Sequence, residues 1–194
     1  MIKQYNGFKA ERTSGREPLP AGGYVAKILN AEVKTTQSGK DMLVLSFDIT
    51  EGEHAGFFKA DYNANTNEDK KWRGVYRLFL PTDDGSERDG WSKRSFNEFI
   101  AVVEESNPGY HFDWNEATLK GKQVGVLFRE KEWEKDDRHG WTTECCSMIT
   151  PEEIREGKFR MPKPKALKKD TKTATATATA ATFDYTTDDG ELPF

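Results

Sequence analysis

The chain has 194 residues, of which 35% are hydrophobic and 32% charged, and its formal net charge is −4. This length suits one domain with additional segments, because domains most often contain about 100–150 residues. No run approaches the roughly 18 consecutive apolar residues of a membrane-spanning helix, and MIKQYNGFKAER lacks the apolar core of a signal peptide. The only two cysteines are adjacent, Cys145 and Cys146, which excludes a disulfide framework and a CxxC zinc site. We expect a cytoplasmic protein that is not bound to a membrane.

The first predicted elements are an arm and a hairpin. Residues 1–20 show little periodicity and end in Pro-Leu-Pro, so we interpret them as an N-terminal arm. The first strand starts at the glycine pair 22–23. Its apolar alternation shifts by one position, which predicts a β-bulge near residues 29–30. Turn residues follow at 37–40, and DMLVLSFDIT then alternates again, so the first two strands form a hairpin.

A helix is predicted between two groups of strands. After a Gly-rich corner and a polar loop, KKWRGVYRLFLP predicts a third strand. From Ser92 the spacing becomes helical, with Phe96, Phe99, Ile100 and Val103 at i, i+3, i+4 and i+7. A fourth strand in LKGKQVGVLFREKEWE and a fifth in GWTTECCSMIT follow, and PEEIREGKF predicts a short helix.

This order of elements is that of the OB-fold, a five-stranded, partly open Greek-key barrel that binds oligonucleotides and oligosaccharides. We therefore predict a mainly β, OB-fold-like five-stranded Greek-key barrel over residues 21–160. One helix would lie between strands three and four.

Beyond residue 160 the composition changes. The segment from Lys158 to Lys172 carries seven basic residues and one acidic residue, a net charge of +6. Thr-Ala repeats then follow without a large apolar residue, and such a sequence cannot bury enough surface to offset the entropy of ordering. We interpret residues 161–187 as a basic and then Thr/Ala-rich disordered linker, and residues 188–194 as an acidic tip.

The acidic tip, DDGELPF, resembles that of bacterial and phage single-stranded DNA-binding proteins, where acidic residues precede an apolar residue, Pro and a terminal Phe. Gly190 and Glu191 interrupt the usual run of Asp. The body also resembles phage-encoded proteins of this type from Gram-positive hosts across EPLPAGGYVAKILNAEV, SGKDMLVLSFDI, ESNPGYH and WTTECC. The alternative is a solubilising acidic terminus without partners.

The resemblance implies a phage or prophage protein of the host cytoplasm that coats and protects single-stranded DNA. It also implies a tip that recruits replication, recombination or repair proteins. The residues of the tip that would bind those partners are Asp188, Asp189, Glu191, Leu192, Pro193 and Phe194.

Single-stranded DNA is bound by cations along the phosphates together with aromatic rings that stack on the bases. The fourth strand offers this combination, because core residues Val124, Val126 and Phe128 leave alternate positions for the opposite face. The candidate DNA-binding residues are Lys34, Lys40, Phe57, Trp72, Arg73, Tyr76, Arg77, Arg129, Lys131, Trp133 and Trp141. Any single one of these aromatic rings could instead be packed in the core.

The enzyme hypotheses have weaker support. The three histidines are isolated, and no P-loop, GxGxxG or HExxH motif is present. The acidic pairs Asp83-Asp84 and Asp136-Asp137 leave a metal-dependent nuclease as one alternative. An OB-fold adaptor that binds protein or RNA is the other. We expect no catalysis, metal or cofactor, and homo-oligomerisation stays open.

Overall fold

The computed structural model describes residues 18–135 and 137–167. The strands are β1 (Gly22–Thr35), β2 (Asp41–Ile49), β3 (Val75–Phe79), β4 (Gln123–Lys135) and β5 (Arg138–Ile149). The helices are α1 (Phe57–Ala64), α2 (Glu87–Ser106) and α3 (Pro151–Arg155), with a 3₁₀ turn at Glu116–Leu119. Within this part of the chain, no helix combines the length and apolar character needed to cross a membrane. The predicted residues of the acidic tip and most of the predicted linker lie outside the described residues.

The five strands form one antiparallel sheet in the order β3-β2-β1-β4-β5. The prediction of a mainly β fold with a helix between strands three and four is confirmed. β1 lies in the middle, since its first part pairs with β4 and most of its length pairs with β2. The outer strands β3 and β5 approach each other, with Cα atoms within 8 Å. This order and these connections are compatible with an OB-fold.

The predicted bulge in β1 is confirmed. The register with β2 shifts between Ile28 and Asn30, so that Leu29 is the extra residue. Ile28 and Ala31 are consequently both buried although they are three positions apart. A bulge increases strand bending, and this bend lets β1 pair with both β2 and β4.

The core lies between the inner face of the sheet and α2. Val124, Val126 and Phe128 of β4 are buried, as their alternation predicts. Phe96, Phe99 and Val103 of α2 join the same cluster. This helix begins five residues earlier than Ser92, because Ser86 caps it by accepting a hydrogen bond from the Asp89 backbone N–H. Its first turn is largely charged, which hides it from apolar periodicity.

The predicted polar loop after β2 contains α1. The buried carboxylate of Asp48 accepts hydrogen bonds from the backbone N–H groups of Phe58, at 3.0 Å, and Lys59, at 3.2 Å. It thus satisfies donors that the first helical turn leaves without partners. A residue on β2 therefore holds the beginning of this helix, and local sequence does not reveal it.

The third strand is shorter than predicted, and Gly74 precedes it. A Cβ atom at Gly74 would collide with the carbonyl oxygen of Phe47 and lie 2.6 Å from Cδ2 of Phe58. This close approach brings the chain against β2 just before the pairing of β3 begins.

The predicted short helix after β5 is present as α3, which packs on the outer face of β1 and β4. Its Thr150 and Glu153 form a reciprocal capping box. Its Ile154 lies over Gly23 and Gly125. A Cβ atom added at Gly23 would be 2.5 Å from Cδ1 of Ile154, and one added at Gly125 would be 2.7 Å from its Cγ1. The glycines therefore let α3 lie directly on the strand backbones.

Candidate nucleic-acid interface

Beyond Phe128, β4 separates from β1 and continues with β5 as a hairpin. Its pairs run from Arg129 opposite Glu144 to Lys135 opposite Arg138. Residues directly opposite each other in an antiparallel pair share a face of the sheet, and successive residues alternate between faces. The hairpin therefore has two chemically different faces.

We call one of them the cationic face. It carries Arg129, Lys131 and Trp133 from β4 and Glu144, Thr142 and Gly140 from β5. We call the other the acidic face. It carries Glu130, Glu132 and Glu134 from β4 and Thr143, Trp141 and His139 from β5. The structure thus groups the three β4 candidates on one face and separates Trp141 from them.

Glu144 contacts both cations of the cationic face. Its Oε1 accepts hydrogen bonds from Arg129 Nε, at 3.0 Å, and Nη2, at 2.8 Å, while its Oε2 lies 3.0 Å from Lys131 Nζ. Burial raises the pKa of the Glu144 carboxyl, but the hydrogen bonds and charges of Lys131 and Arg129 outweigh burial, so the pKa is below its usual range. An ionised carboxylate therefore holds both cations in place and would compete with an approaching phosphate.

Trp133 lies over the backbone of β5. A Cβ atom at its opposite partner Gly140 would be 3.2 Å from three atoms of the indole ring. Glycine at this position therefore lets the ring approach the strand closely. The side chain is half-buried, whereas Trp141 on the acidic face is 51% exposed.

Three of the other aromatic candidates pack against the core: Phe57, Trp72 and Tyr76. The indole N–H of Trp72 donates a 3.0 Å hydrogen bond to the carbonyl oxygen of Phe47, and its ring contacts that of Tyr62. Tyr76 lies opposite the fully buried Leu45. These contacts are those of packing residues, which was the alternative that the sequence left open.

The remaining cationic candidates lie elsewhere on the surface. Lys34 lies opposite Met42, and Arg77 lies opposite Val44. Because Met42 and Val44 project from the same face of β2, Lys34 and Arg77 share the outer face of the sheet. Lys34 contacts Glu32 at 2.7 Å. Arg73 lies 3.5 Å from Asp61, and Lys40 lies in the β1–β2 turn.

The structure adds a segment that the sequence assigned to the linker. We call residues 163–167 the strap. The Lys165 N–H donates to the Glu130 carbonyl oxygen at 2.8 Å, and the Glu132 N–H donates to the Lys165 carbonyl oxygen at 2.8 Å. These bonds make a parallel bridge between Lys165 and Lys131. The strap contains a proline, Pro164, and no β-branched residue, so strand propensity could not have identified it.

Asp83 and Asp84, one of the acidic pairs considered for a nuclease, have other contacts. Asp83 forms an ion pair with Lys93, and Asp84 accepts a hydrogen bond from the Ser86 backbone N–H. Asp136 lies outside the described residues. Across 18–135 and 137–167, no three His, Cys, Asp or Glu side chains are grouped so that they could hold a metal ion.

The chain is similar over residues 6–78 to a family described as a protein of unknown function, DUF669. No curated protein matches the chain. The matched segment includes β1, β2, α1 and most of β3 and ends before β4. It therefore does not include the hairpin that carries the cationic face.

Proposed function

We propose that this protein binds single-stranded DNA through the cationic face of the β4–β5 hairpin. The observation that carries the proposal is the row Arg129, Lys131 and Trp133, which puts two cations and an aromatic ring side by side on one face. Proteins that hold single strands without strong sequence preference combine these two groups, since cations follow the backbone and rings stack on bases. The sheet order, compatible with an OB-fold, supports the same function.

The resemblance of the acidic tip supports the biological part of the proposal. The protein would be of phage or prophage type and would coat and protect single strands during replication, recombination or repair. The segment Asp188–Phe194 would recruit other proteins of these processes, since its acidic side chains suit a basic surface and its apolar residues a pocket beside it.

The direct test is a titration of the full chain with poly-dT, followed by tryptophan fluorescence over a series of salt concentrations. Stacking of bases should quench the emission, and the logarithm of the binding constant should fall linearly with the logarithm of salt concentration. A poly-rU titration measures preference for RNA, and added Mg²⁺ with product analysis tests for a nuclease. Absence of salt-dependent binding to poly-dT would contradict the proposal.

Removal of either cation should lower the salt dependence of binding. We expect Arg129→Ala and Lys131→Ala each to reduce the slope by about 0.7, the value for one phosphate contact on a single strand. Lys158→Ala is the control, because this exposed lysine contacts Glu156 after α3 and is outside the hairpin. Unchanged slopes in both hairpin variants would place the DNA elsewhere.

Removal of the carboxylate between the cations should have the opposite effect. We expect Glu144→Gln to bind poly-dT several-fold more tightly at low salt and with a steeper salt dependence, because the Glu144 carboxylate no longer competes with phosphate for Arg129 and Lys131. Glu130→Gln, on the acidic face, is the matched control and should have a smaller effect. Equal affinities of Glu144→Gln and the wild type would show that phosphate does not reach these cations.

The same substitution should change the dependence of stability on pH. Since the pKa of Glu144 is lowered in the folded protein, its ion pairs stabilise the fold above the unfolded pKa of about 4.3. That contribution is lost as the pH falls through the folded pKa. We expect Glu144→Gln to show a smaller loss of unfolding free energy than the wild type on acidification, measured by denaturant titration.

A further inference from the structure

The strap occupies a defined place on the sheet. β1 covers one edge of β4 only as far as Phe128, so the continuation of that edge along the hairpin needs another cover. After α3 the chain passes Gly23, where Phe159 lies beside Ile154, and the strap then pairs with Glu130 and Glu132 of β4. An uncovered strand edge is a site for unwanted pairing. The strap pairs with this edge of β4 beyond the point where β1 ends.

The bridge places the side chain of Lys165 beside the cationic face. Bridged residues of neighbouring strands project to the same side of a sheet, and Lys165 is bridged to Lys131. Neighbouring strands are about 4.8 Å apart, so the two lysines can contact the same phosphate or adjacent ones. Lys165 therefore lies beside Lys131 on the neighbouring segment and adds a residue to the side of the row formed by Arg129, Lys131 and Trp133.

The charge of the row changes with this addition. Arg129 and Lys131 share one carboxylate, Glu144. Lys165 adds a third cation to Arg129 and Lys131 on this side of the sheet. Each cation that reaches the backbone raises the affinity, because affinity for a nucleic-acid backbone comes from neutralising phosphates.

We infer that the strap is part of the single-stranded DNA-binding surface and that Lys165 contacts the phosphate backbone beside Lys131. This inference rests on the proposed function, because it extends the same site. It assigns residues 163–167 to the DNA-binding domain, which in the sequence analysis ended at residue 160. The backbone hydrogen bonds of Lys165 hold this residue beside β4, which distinguishes it from a lysine in a segment without contacts to the sheet.

The first test measures poly-dT binding by Lys165→Gln over a salt series. This substitution removes the charge and retains the backbone N–H that bonds to Glu130. We expect the slope of log K against log salt to fall by about 0.7, and Lys165→Arg to restore it. The matched control is Lys158→Gln, which removes the same charge seven residues earlier and should leave the slope unchanged.

The second test removes the charge of Lys165 together with the attachment of the strap to β4. Lys165→Pro removes the N–H that donates to Glu130, so the strap should lose its attachment to β4. We expect this variant to bind poly-dT as weakly as Lys165→Gln, while its thermal unfolding stays close to that of the wild type. Hydrogen exchange should then show lost protection of the Glu132 N–H, whose acceptor is the carbonyl oxygen of Lys165.

The outcomes distinguish this inference from the function on which it rests. If the wild type does not bind poly-dT, the proposed function and the assignment of the strap are both overturned. If the wild type binds and Lys165→Gln keeps its slope, only the assignment of the strap is overturned. Full binding by Lys165→Pro would also overturn it, because this variant has neither the charge of Lys165 nor the N–H that attaches the strap to β4.

Discussion

Trp133→Ala should weaken binding of oligo-dT by about 1–3 kcal/mol, a rise in Kd of roughly 5- to 150-fold. Its ring covers Gly140 on the same face as Arg129 and Lys131, where a base can stack while the neighbouring phosphates meet the cations. Fluorescence anisotropy of a labelled oligo-dT measures the change without depending on the tryptophan signal. The melting temperature of the variant shows whether the fold is retained.

Trp141→Ala is the matched control for this prediction. Trp141 is the same residue type on the same hairpin, but it lies on the acidic face opposite Glu132 and is 51% exposed. We expect its loss to change the affinity little, because phosphates are repelled from a face with three glutamates. If Trp141→Ala loses as much affinity as Trp133→Ala, the DNA does not distinguish the two faces and the assignment of the site is wrong.

Trp72→Ala should lower the free energy of unfolding by about 2–4 kcal/mol. The substitution removes a large ring that packs on the core beside Tyr62, and it leaves the carbonyl oxygen of Phe47 without the indole donor. Denaturant titration followed by circular dichroism measures the loss. The structure thus indicates a role in stability for a residue that the sequence places among the candidates for DNA stacking.

Trp72→Phe divides the effect of Trp72→Ala into two parts. Phenylalanine retains most of the packing but has no N–H group, so we expect an intermediate loss of stability, of which about 1 kcal/mol comes from the hydrogen bond. At a temperature well below unfolding, both variants should bind oligo-dT with nearly wild-type affinity. A large loss of affinity in a folded Trp72→Phe protein would instead return this residue to the binding site.

The order of elements follows from the sequence because it depends on local alternation. The shift of apolar positions in β1 identified the bulge at Leu29, since a residue inserted in one strand moves every later side chain to the other face. The alternation of Val124, Val126 and Phe128 identified the core face of β4. It therefore also identified Arg129, Lys131 and Trp133 as neighbours on the other face.

The beginning of α1 could not be predicted in this way. Asp48 lies ten residues before Phe58 in the chain, yet its carboxylate accepts the hydrogen bond that stabilises the first turn of the helix. The sequence around α1 contains glycines and polar residues that favour a loop. The helix is favoured over a loop because β2 lies beside this segment and supplies the Asp48 carboxylate.

The sequence by itself determined the strands, the bulge, α3 and the row of cations and tryptophan on β4, because each depends on spacing within one segment. Only the tertiary structure decided which tryptophan faces which side of the hairpin, since this depends on the register of β4 with β5. It also decided that Glu144 lies between two cations and that Lys165 joins them. These contacts connect residues that are 15 and 34 positions apart, between Arg129 and Glu144 and between Lys131 and Lys165. Local propensity carries no information on such pairs, because backbone hydrogen bonds between separate segments bring them together.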